Sequence, residues 1–354
     1  AGRTGNGSTC TYIDAVLRAH GFNTGLCLSP HVKDVRERFQ VNGQLISEHR
    51  CIALAEEVLS VVRELNTASG ELASYCELLR AMTFLLFTQE RVDYAVIETG
   101  MGGLYDSSNV VNRADKFCVI TKLGFDHMRA LGNTIEEIAA QKLGIVQVGN
   151  EVVIGVQEEI EQARLVQLAE KAGARAVWCV DLVLAPFLRE NAHLAERVCQ
   201  RLAIRDGWEY IPQTAEQGLV VASLPLRFQK ILWRGKTLIL DVAHNPQKMR
   251  GLVEAMRTQF PGRAYAVGLA FNPGTEIEAT AEPILRDCAR VASIDVVVGE
   301  GAYRFRFVSP QDVIPQLSHT QRASGTHENI VALETWEALA DWMEHIPEQT
   351  IVLT

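Results

Sequence analysis

The stretch "AGRTGNGSTCTYIDAVLRAHG" at residues 1–21 joins a glycine-rich segment to a run with helical periodicity. Backbone N–H groups at such a junction bind phosphate at the start of the helix. Loops of this kind usually carry a lysine shortly before the serine or threonine, and Asn6 stands two residues before Ser8. The stretch therefore predicts either a phosphate-binding loop without its usual charge or a glycine-rich turn. The residues able to line a phosphate are Gly2, Gly5, Gly7 and Ser8.

Short apolar runs alternate with helical runs along most of the chain. Strands are predicted in "VDYAVIETG", "KFCVITKLG", "EVVIGV", "KTLILDVAHNP", "AYAVGLA", "IDVVVGE" and "TIVLT". Further helices are predicted in "ELLRAMTFLLFTQE" and "TIEEIAAQKLGIV", and at about 158–172, 188–203, 247–258, 276–290 and 310–318.

This alternation predicts an α/β fold with two domains. Residues 1–233 are expected to form an N-terminal P-loop-type domain, a mostly parallel sheet flanked by helices that lacks its first strand. Residues 234–354 are expected to form a smaller C-terminal Rossmann-like α/β domain whose last segment is truncated.

Composition narrows the possible partners of the chain. The 354 residues carry a formal net charge of −9 without a basic run, which argues against non-specific nucleic-acid binding. The sequence contains no apolar stretch of membrane-spanning length and no signal segment. The eight cysteines form no Cys-x-x-Cys pair and are expected to be reduced thiols. We expect a cytoplasmic monomer with neither nucleic-acid nor membrane partners.

Polar residues follow several of the predicted strands. Ligands of α/β sheets bind at the carboxyl ends of strands, and a carboxylate, an imidazole and a hydroxyl near a phosphate loop can hold Mg²⁺ on a nucleotide. Any one of these residues alone could instead cap a helix or a turn. The residues in question are Glu98, Asp126, His127, Asp241, His244 and Asn245.

Six fragments of the sequence, taken in chain order, resemble motifs of the Mur ligase superfamily, and within it of the folylpolyglutamate and dihydrofolate synthases. The first is the glycine-rich loop, and the others are "SPHVKDVRERFQVNGQLIS", "ETGMGGLYDSSN", "DHMRALGNT", "QKLGI", and "PLRFQ" ahead of "DVAHNP". The long Ser-Pro-His segment favours the folate branch over the cell-wall ligases.

The resemblance implies a set of metal and catalytic residues. The Mg²⁺ ligands match Ser29, Glu98 and His127. The catalytic candidates are Lys142, which matches a lysine carbamylated in this family, His244, which matches a histidine near the γ-phosphate and the incoming amino acid, and Asn6. Without the resemblance, Lys142 would be interpreted as a solvated helix lysine and His244 as a capping residue.

The resemblance also implies ATP-binding residues. Asn191 matches an adenine contact, although "RENA" could equally begin a surface helix. Arg227 matches a phosphate-binding arginine, and Asp241 matches a ribose-binding aspartate. The remaining ATP-binding residues are those of the loop: Gly2, Gly5, Gly7 and Ser8.

The activity implied by the resemblance is ATP-dependent joining of L-glutamate to a folate or dihydropteroate carboxylate, with Mg²⁺, through an acyl phosphate. Three departures from the family pattern predict reduced activity: Asn6 replaces the loop lysine, Leu104 an arginine, and Leu226 a glycine. Arg3 is an alternative source of positive charge in the loop. Two other hypotheses stay open, a catalytically impaired homologue that binds nucleotide or folate, and another Mur-type amide ligase.

Overall fold

The chain divides into two units, Ala1–Ser223 and Leu224–Thr354, in a computed structural model of the protein. The structure describes residues 1–2, 4–70, 72–124, 128–156, 159–182, 189–222, 225–295, 297–298, 305–324 and 330–354. The strand Gln229–Trp233 belongs to the second unit, where it pairs with Lys236–Leu240. The two units therefore separate before this strand, whereas the sequence predicted a boundary after residue 233.

Helices cover the strands of the first unit. Its strands are β1 (Thr24–Cys27), β2 (Gln40–Val41), β3 (Gln44–Leu45), β4 (Tyr94–Ile97), β5 (Phe117–Ile120), β6 (Glu151–Val156) and β7 (Ala176–Asp181). Its α-helices are α1 (Asn6–Ala19), α2 (Glu48–Ser69), α3 (Tyr75–Gln89), α4 (Met128–Leu131), α5 (Ile135–Leu143), α6 (Glu159–Lys171), α7 (Glu190–Asp206) and α8 (Pro212–Val221). Two 3₁₀ turns, Val35–Arg38 and Ser107–Val110, lie in its loops.

The strands of the first unit form two sheets among the described residues. One has the order β3-β2-β1-β4, with β1 and β4 parallel, and the other is the parallel sheet β5-β6-β7. Helix α1 packs on both, because one apolar cluster contains its buried Val16 and Leu17 together with Val96 of β4 and Val153 of β6. Burying side chains of this size contributes about 1.5–3 kcal/mol each. The predicted P-loop-type, mostly parallel architecture is confirmed, divided over two sheets.

The described residues of the second unit form one six-stranded sheet and a small two-stranded one. The sheet order is β14-β11-β10-β15-β9-β8, parallel throughout except for β8, as in a Rossmann-like domain. Its strands are β8 (Gln229–Trp233), β9 (Lys236–Leu240), β10 (Ala266–Leu269), β11 (Arg290–Ile294), β12 (Val297–Val298), β13 (Phe305–Arg306), β14 (Val331–Leu333) and β15 (Thr350–Leu353). Its helices are α9 (Pro246–Gln259), α10 (Ile277–Leu285), α11 (Pro310–Ser324) and α12 (Trp336–His345).

One predicted strand and the helix before it are displaced along the sequence. Helix α10 ends at Leu285 rather than near 290, and the long strand β11 is "RVASI" rather than "IDVVVGE". Within β11, Val291 joins the apolar cluster on one face of the sheet, and Ala292 joins the cluster on the other. A strand between two neighbours must bury both faces, and "RVASI" satisfies this requirement.

No helix in the described part of the chain is both long enough and apolar enough to cross a bilayer.

Candidate active site

The glycine-rich loop ends where α1 begins. Gly5 precedes the helix with a left-handed backbone (φ 84°), and it contributes no side-chain cap to the helix. The Gly5 carbonyl accepts a hydrogen bond from Thr9 N at 2.8 Å, which closes the first turn. Uncapped helix N-termini favour anions because their first N–H groups lack intrahelical partners. The start of α1 therefore has the geometry of a phosphate cradle.

Asn6 holds the loop against the end of β5. Its Nδ2 donates to the Gly2 carbonyl at 3.1 Å, and its Oδ1 lies 2.7 Å from the hydroxyl of Thr121. That hydroxyl also lies 2.8 Å from the Thr4 carbonyl. The asparagine thus joins two parts of the loop to the strand end. A catalytic role for Asn6 remains a prediction, and Arg3 lies outside the described residues.

Lys142 is buried beneath the same loop. Only 3% of this residue is exposed, and its Nζ donates to the Gly2 carbonyl at 2.9 Å. The interpretation of Lys142 as a solvated helix lysine is therefore wrong. Gly2 fits tightly here, since a Cβ at this position would lie 1.8 Å from Thr121 Oγ1. Whether Lys142 is carbamylated remains a prediction.

Asn191 lies against the opposite side of the loop. It is the second residue of α7, and its Oδ1 lies 3.5 Å from the hydroxyl of Thr9. A Cβ at Gly5 would lie only 2.1 Å from that Oδ1. The structure thus brings Asn191 to the loop, and its predicted contact with adenine remains a prediction.

Gly5→Ala is expected to weaken nucleotide binding by at least about tenfold. A left-handed backbone costs an alanine about 1–2 kcal/mol, and the new methyl group would displace Asn191 from the loop. The measurement is ADP binding by calorimetry beside a urea unfolding curve. Gly207→Ala is the matched control, because Gly207 also has a left-handed backbone (φ 74°) with nothing near its missing Cβ. Equal nucleotide affinity in the two variants would contradict the expectation.

Glu98 and Ser29 meet at the ends of β4 and β1. The Ser29 backbone N–H donates to Glu98 Oε2 at 2.6 Å, and Glu98 is 8% exposed. His127, the third predicted ligand, lies outside the described residues. Among the residues that the structure does describe, no cluster of three His, Cys, Asp or Glu side chains could hold a metal. A buried carboxylate beside a serine is nevertheless an oxygen donor set of the kind that Mg²⁺ prefers.

A buried arginine that the sequence analysis missed supports Glu98. Arg80 of α3 donates through Nη2 to the Glu98 carbonyl at 3.0 Å and through Nη1 to Cys27 Sγ at 3.0 Å. Its guanidinium also lies 3.9 Å from the Asp106 carboxylate. Arg80 therefore links the ends of β1 and β4 to the loop that follows Glu98. The only signal in the sequence is a charge within the apolar run "ELLRAMTFLL".

The loop after Glu98 packs on the segment that carries Lys142. Leu104 N donates to the Gln141 carbonyl at 2.8 Å. A Cβ at Gly103 would lie 2.7 Å from the Lys142 carbonyl, so a glycine is required for this close approach. Leu104, which stands where the family has an arginine, is 42% exposed. The first unit thus brings the glycine-rich loop, Glu98 and Lys142 into one connected network.

In the second unit, Asp241 follows β9 and holds the turn before β8. Its Oδ2 accepts from Phe228 N at 2.8 Å. Burial raises the pKa of the Asp241 carboxyl, although the Phe228 N–H and the positive charge of Arg227 act in the opposite direction. Arg227 is exposed, and its Nη1 donates to the Leu226 carbonyl at 3.3 Å.

The backbone around Arg227 keeps a conformation that favours glycine. Leu226 has φ 56° and Phe228 has φ 49°, both in the left-handed region. This conformation costs a residue with a side chain about 1–2 kcal/mol. The family resemblance places a glycine where Leu226 stands, and here a leucine adopts the left-handed backbone. Arg227 lies within this turn, and Asp241 accepts a hydrogen bond from its Phe228 N–H.

His244 is exposed at the end of the turn before α9. Its Nδ1 lies 2.9 Å from the Val242 carbonyl, and a carbonyl only accepts, so Nδ1 carries the proton. Its Nε2 lies 3.3 Å from Lys248 Nζ and holds a lone pair when the imidazole is neutral. The interpretation of His244 as a capping residue is wrong, because Asn245 caps α9 by accepting from Lys248 N at 3.0 Å.

Asp241→Asn is expected to raise the urea midpoint of the chain at neutral pH. Folding raises the pKa of Asp241, so its ionised form costs stability above the folded pKa, and this cost vanishes below the unfolded pKa. The gain should therefore disappear at about pH 3, below the ordinary aspartate value. Asp341→Asn, at a side chain that is 76% exposed, is the control. A gain that persists in acid would contradict burial as the cause.

The chain is similar to known proteins in both sequence and fold. The Mur ligase middle domain matches residues 49–182, and the Mur ligase glutamate ligase domain matches residues 226–354. A dihydrofolate synthase/folylpolyglutamate synthase of Bacillus subtilis is 30% identical over 298 residues, which cover 75% of this chain and 69% of that protein. A folylpolyglutamate synthase of Arabidopsis thaliana is 40% identical over 149 residues, covering 42% of this chain.

Among solved structures, E. coli FolC in complex with DHPP and ADP has a TM-score of 0.81 at 23% identity. The similarity covers 100% of this chain and 83% of that one, and it demonstrates the shared fold. The chain belongs to the folylpolyglutamate synthase and dihydrofolate synthase family of Mur ligases. The region that matches the Arabidopsis relative covers 26% of that protein's length.

Proposed function

We propose that the protein is an ATP-dependent ligase that joins L-glutamate to the carboxylate of a folate or dihydropteroate. One observation carries the proposal: the uncapped start of α1, buried Lys142 and buried Glu98 belong to one network in the first unit. Such a network suits phosphoryl transfer, in which the protein mainly positions groups and neutralises charge. Membership of the family supports the proposed acceptor and amino acid.

Each part of the network has a proposed task. The ATP phosphates bind at the loop of Gly2, Gly5, Gly7 and Ser8, beside Asn191. Lys142 holds the loop through the Gly2 carbonyl. Ser29 and Glu98 are proposed to hold Mg²⁺ with His127. When bound, that ion would neutralise charge on the phosphate oxygens. Arg227 and Asp241 of the second unit are proposed as phosphate and ribose contacts.

The reaction is proposed to take place in two steps. An oxygen of the acceptor carboxylate attacks the γ-phosphorus of ATP, ADP leaves, and an acyl phosphate forms. The glutamate nitrogen then attacks the carbonyl carbon, loses a proton, and inorganic phosphate leaves with the electrons of the broken C–O bond. We assign His244 to the glutamate side, where its Nε2 lone pair could accept a proton.

The test is phosphate release from ATP with dihydropteroate or tetrahydrofolate, with and without glutamate. Glutamate-dependent release together with an amide product supports the proposal. Nucleotide binding without release would instead favour the impaired homologue. Release only with a cell-wall peptide acceptor would favour another Mur-type ligase.

We also propose that the protein acts in a reducing compartment such as the cytoplasm. All eight cysteines lie in the described part of the chain, and no disulfide joins any of them. The monomeric state stays a prediction that sedimentation can test.

A further inference from the structure

A buried ion pair lies beside the phosphate loop and has no role in the proposed mechanism. Lys122 follows β5, and its Nζ contacts the carboxylate of Glu190, the first residue of α7. The two side chains are 8% and 13% exposed. Burying an ion pair costs desolvation energy that its mutual attraction often fails to repay. A pair in this position therefore calls for a functional explanation.

Both partners of the pair are joined to the loop. Lys122 forms an antiparallel backbone bridge with Thr4. Glu190 directly precedes Asn191, whose Oδ1 would be only 2.1 Å from a Cβ on Gly5. The ammonium group of Lys122 thus lies between the end of β5 and the start of α7, next to the proposed site of the nucleotide phosphates.

Few lysines in the described chain are buried, and they are concentrated at this loop. Among the residues that the structure describes, the buried lysines are Lys122, Lys142 and Lys236. Lys236 belongs to the second unit, where it donates to the Ile346 carbonyl. Lys142 donates to the Gly2 carbonyl, whereas Lys122 contacts the carboxylate of Glu190. A carboxylate partner can give way to a phosphate, because both accept from the same ammonium group.

We propose that Lys122 supplies to the bound nucleotide phosphates the positive charge that the loop lacks at Asn6. Glu190 holds the ammonium group in place before the nucleotide binds. The flexible stem of lysine allows its ammonium to turn from one anion to another. This inference rests on the proposed ATP binding. The charge of Lys122 offsets the reduced activity that Asn6 alone predicts.

The experiment measures ATP and ADP affinity in a set of variants of the full chain. Lys122→Met should weaken ATP binding by about 10- to 100-fold, since a desolvated charge-assisted contact is lost. Adding Asn6→Lys to that variant should restore affinity to within about threefold, because it returns a cation to the loop. Asn6→Lys alone should change affinity little. Glu190→Gln should bind ATP equally well or more tightly, because the competing carboxylate is gone.

The controls separate the possible failures. Lys171→Met, at an exposed lysine of α6, should leave affinity unchanged. If Lys122 only stabilises the fold, Lys122→Met and Glu190→Gln would weaken binding together and Asn6→Lys would restore nothing, which overturns the inference. If Lys122→Met does not fold, the Glu190→Gln variant decides. Weaker ATP binding than in the unmodified chain overturns the inference, and equal or tighter ATP binding supports it. If the unmodified chain binds no nucleotide, the proposed function itself fails.

Discussion

Lys142→Met is expected to lower the rate of ATP-dependent ligation by at least about 10²-fold. Methionine fills a similar volume but cannot donate to the Gly2 carbonyl, which Lys142 Nζ contacts at 2.9 Å. The first residues of the loop would shift, and a displacement of about 1 Å at a phosphoryl-transfer site costs about 10²-fold in rate. Single-turnover phosphate release measures the effect. ADP affinity should fall less than the rate, because the cradle at the start of α1 does not depend on this lysine.

A second variant tests the form in which Lys142 acts. If Lys142 is carbamylated, Lys142→Ala should regain part of its activity with a small added carboxylate. The unmodified chain should also lose activity in buffer depleted of CO₂. If only the ammonium acts, neither effect should occur. Lys171→Met again serves as the exposed control, and full activity of Lys142→Met would reject a catalytic role for Lys142.

Much of the fold could be predicted from local sequence patterns. The glycine-rich loop followed by α1, and the apolar runs of β4, β5, β6 and β9, have periodicities that identify them without tertiary information. The displaced strand β11 could not be placed in this way. Both "RVASI" and "IDVVVGE" are apolar enough for a strand, and the choice depends on burying Val291 and Ala292 on opposite faces of a sheet.

The site was predictable where residues follow strands, and much less so where buried charges meet. Glu98 follows a predicted strand and Ser29 was implied by the family resemblance, so the sequence could bring them together. Arg80 and Lys122 carry charges into the interior, and their partners Asp106 and Glu190 are distant in sequence or in another element. Such pairs form only once the chain has folded, because each charge needs the other to offset its desolvation.

Glu98→Gln tests the proposed metal site most directly. Glutamine has nearly the same shape and can still accept from Ser29 N, which Glu98 Oε2 contacts at 2.6 Å. Arg80 donates to the main-chain carbonyl of Glu98, so this support also remains. The substitution therefore removes charge while these two contacts persist, and the free energy of unfolding should change little. The ligation rate should fall by about 10²–10³-fold, as when one group that stabilises transition-state charge is removed.

The dependence on Mg²⁺ separates a metal ligand from a group that only shapes the pocket. If Glu98 holds the ion, Glu98→Gln should need a higher Mg²⁺ concentration for half-maximal rate, and Mn²⁺ should bind more weakly by electron paramagnetic resonance. Glu56→Gln, at an exposed glutamate of α2, should match the unmodified chain in both measurements. A lower rate with unchanged Mn²⁺ affinity would reject Glu98 as a ligand. The loss would then come from the carboxylate's own charge beside the phosphate loop.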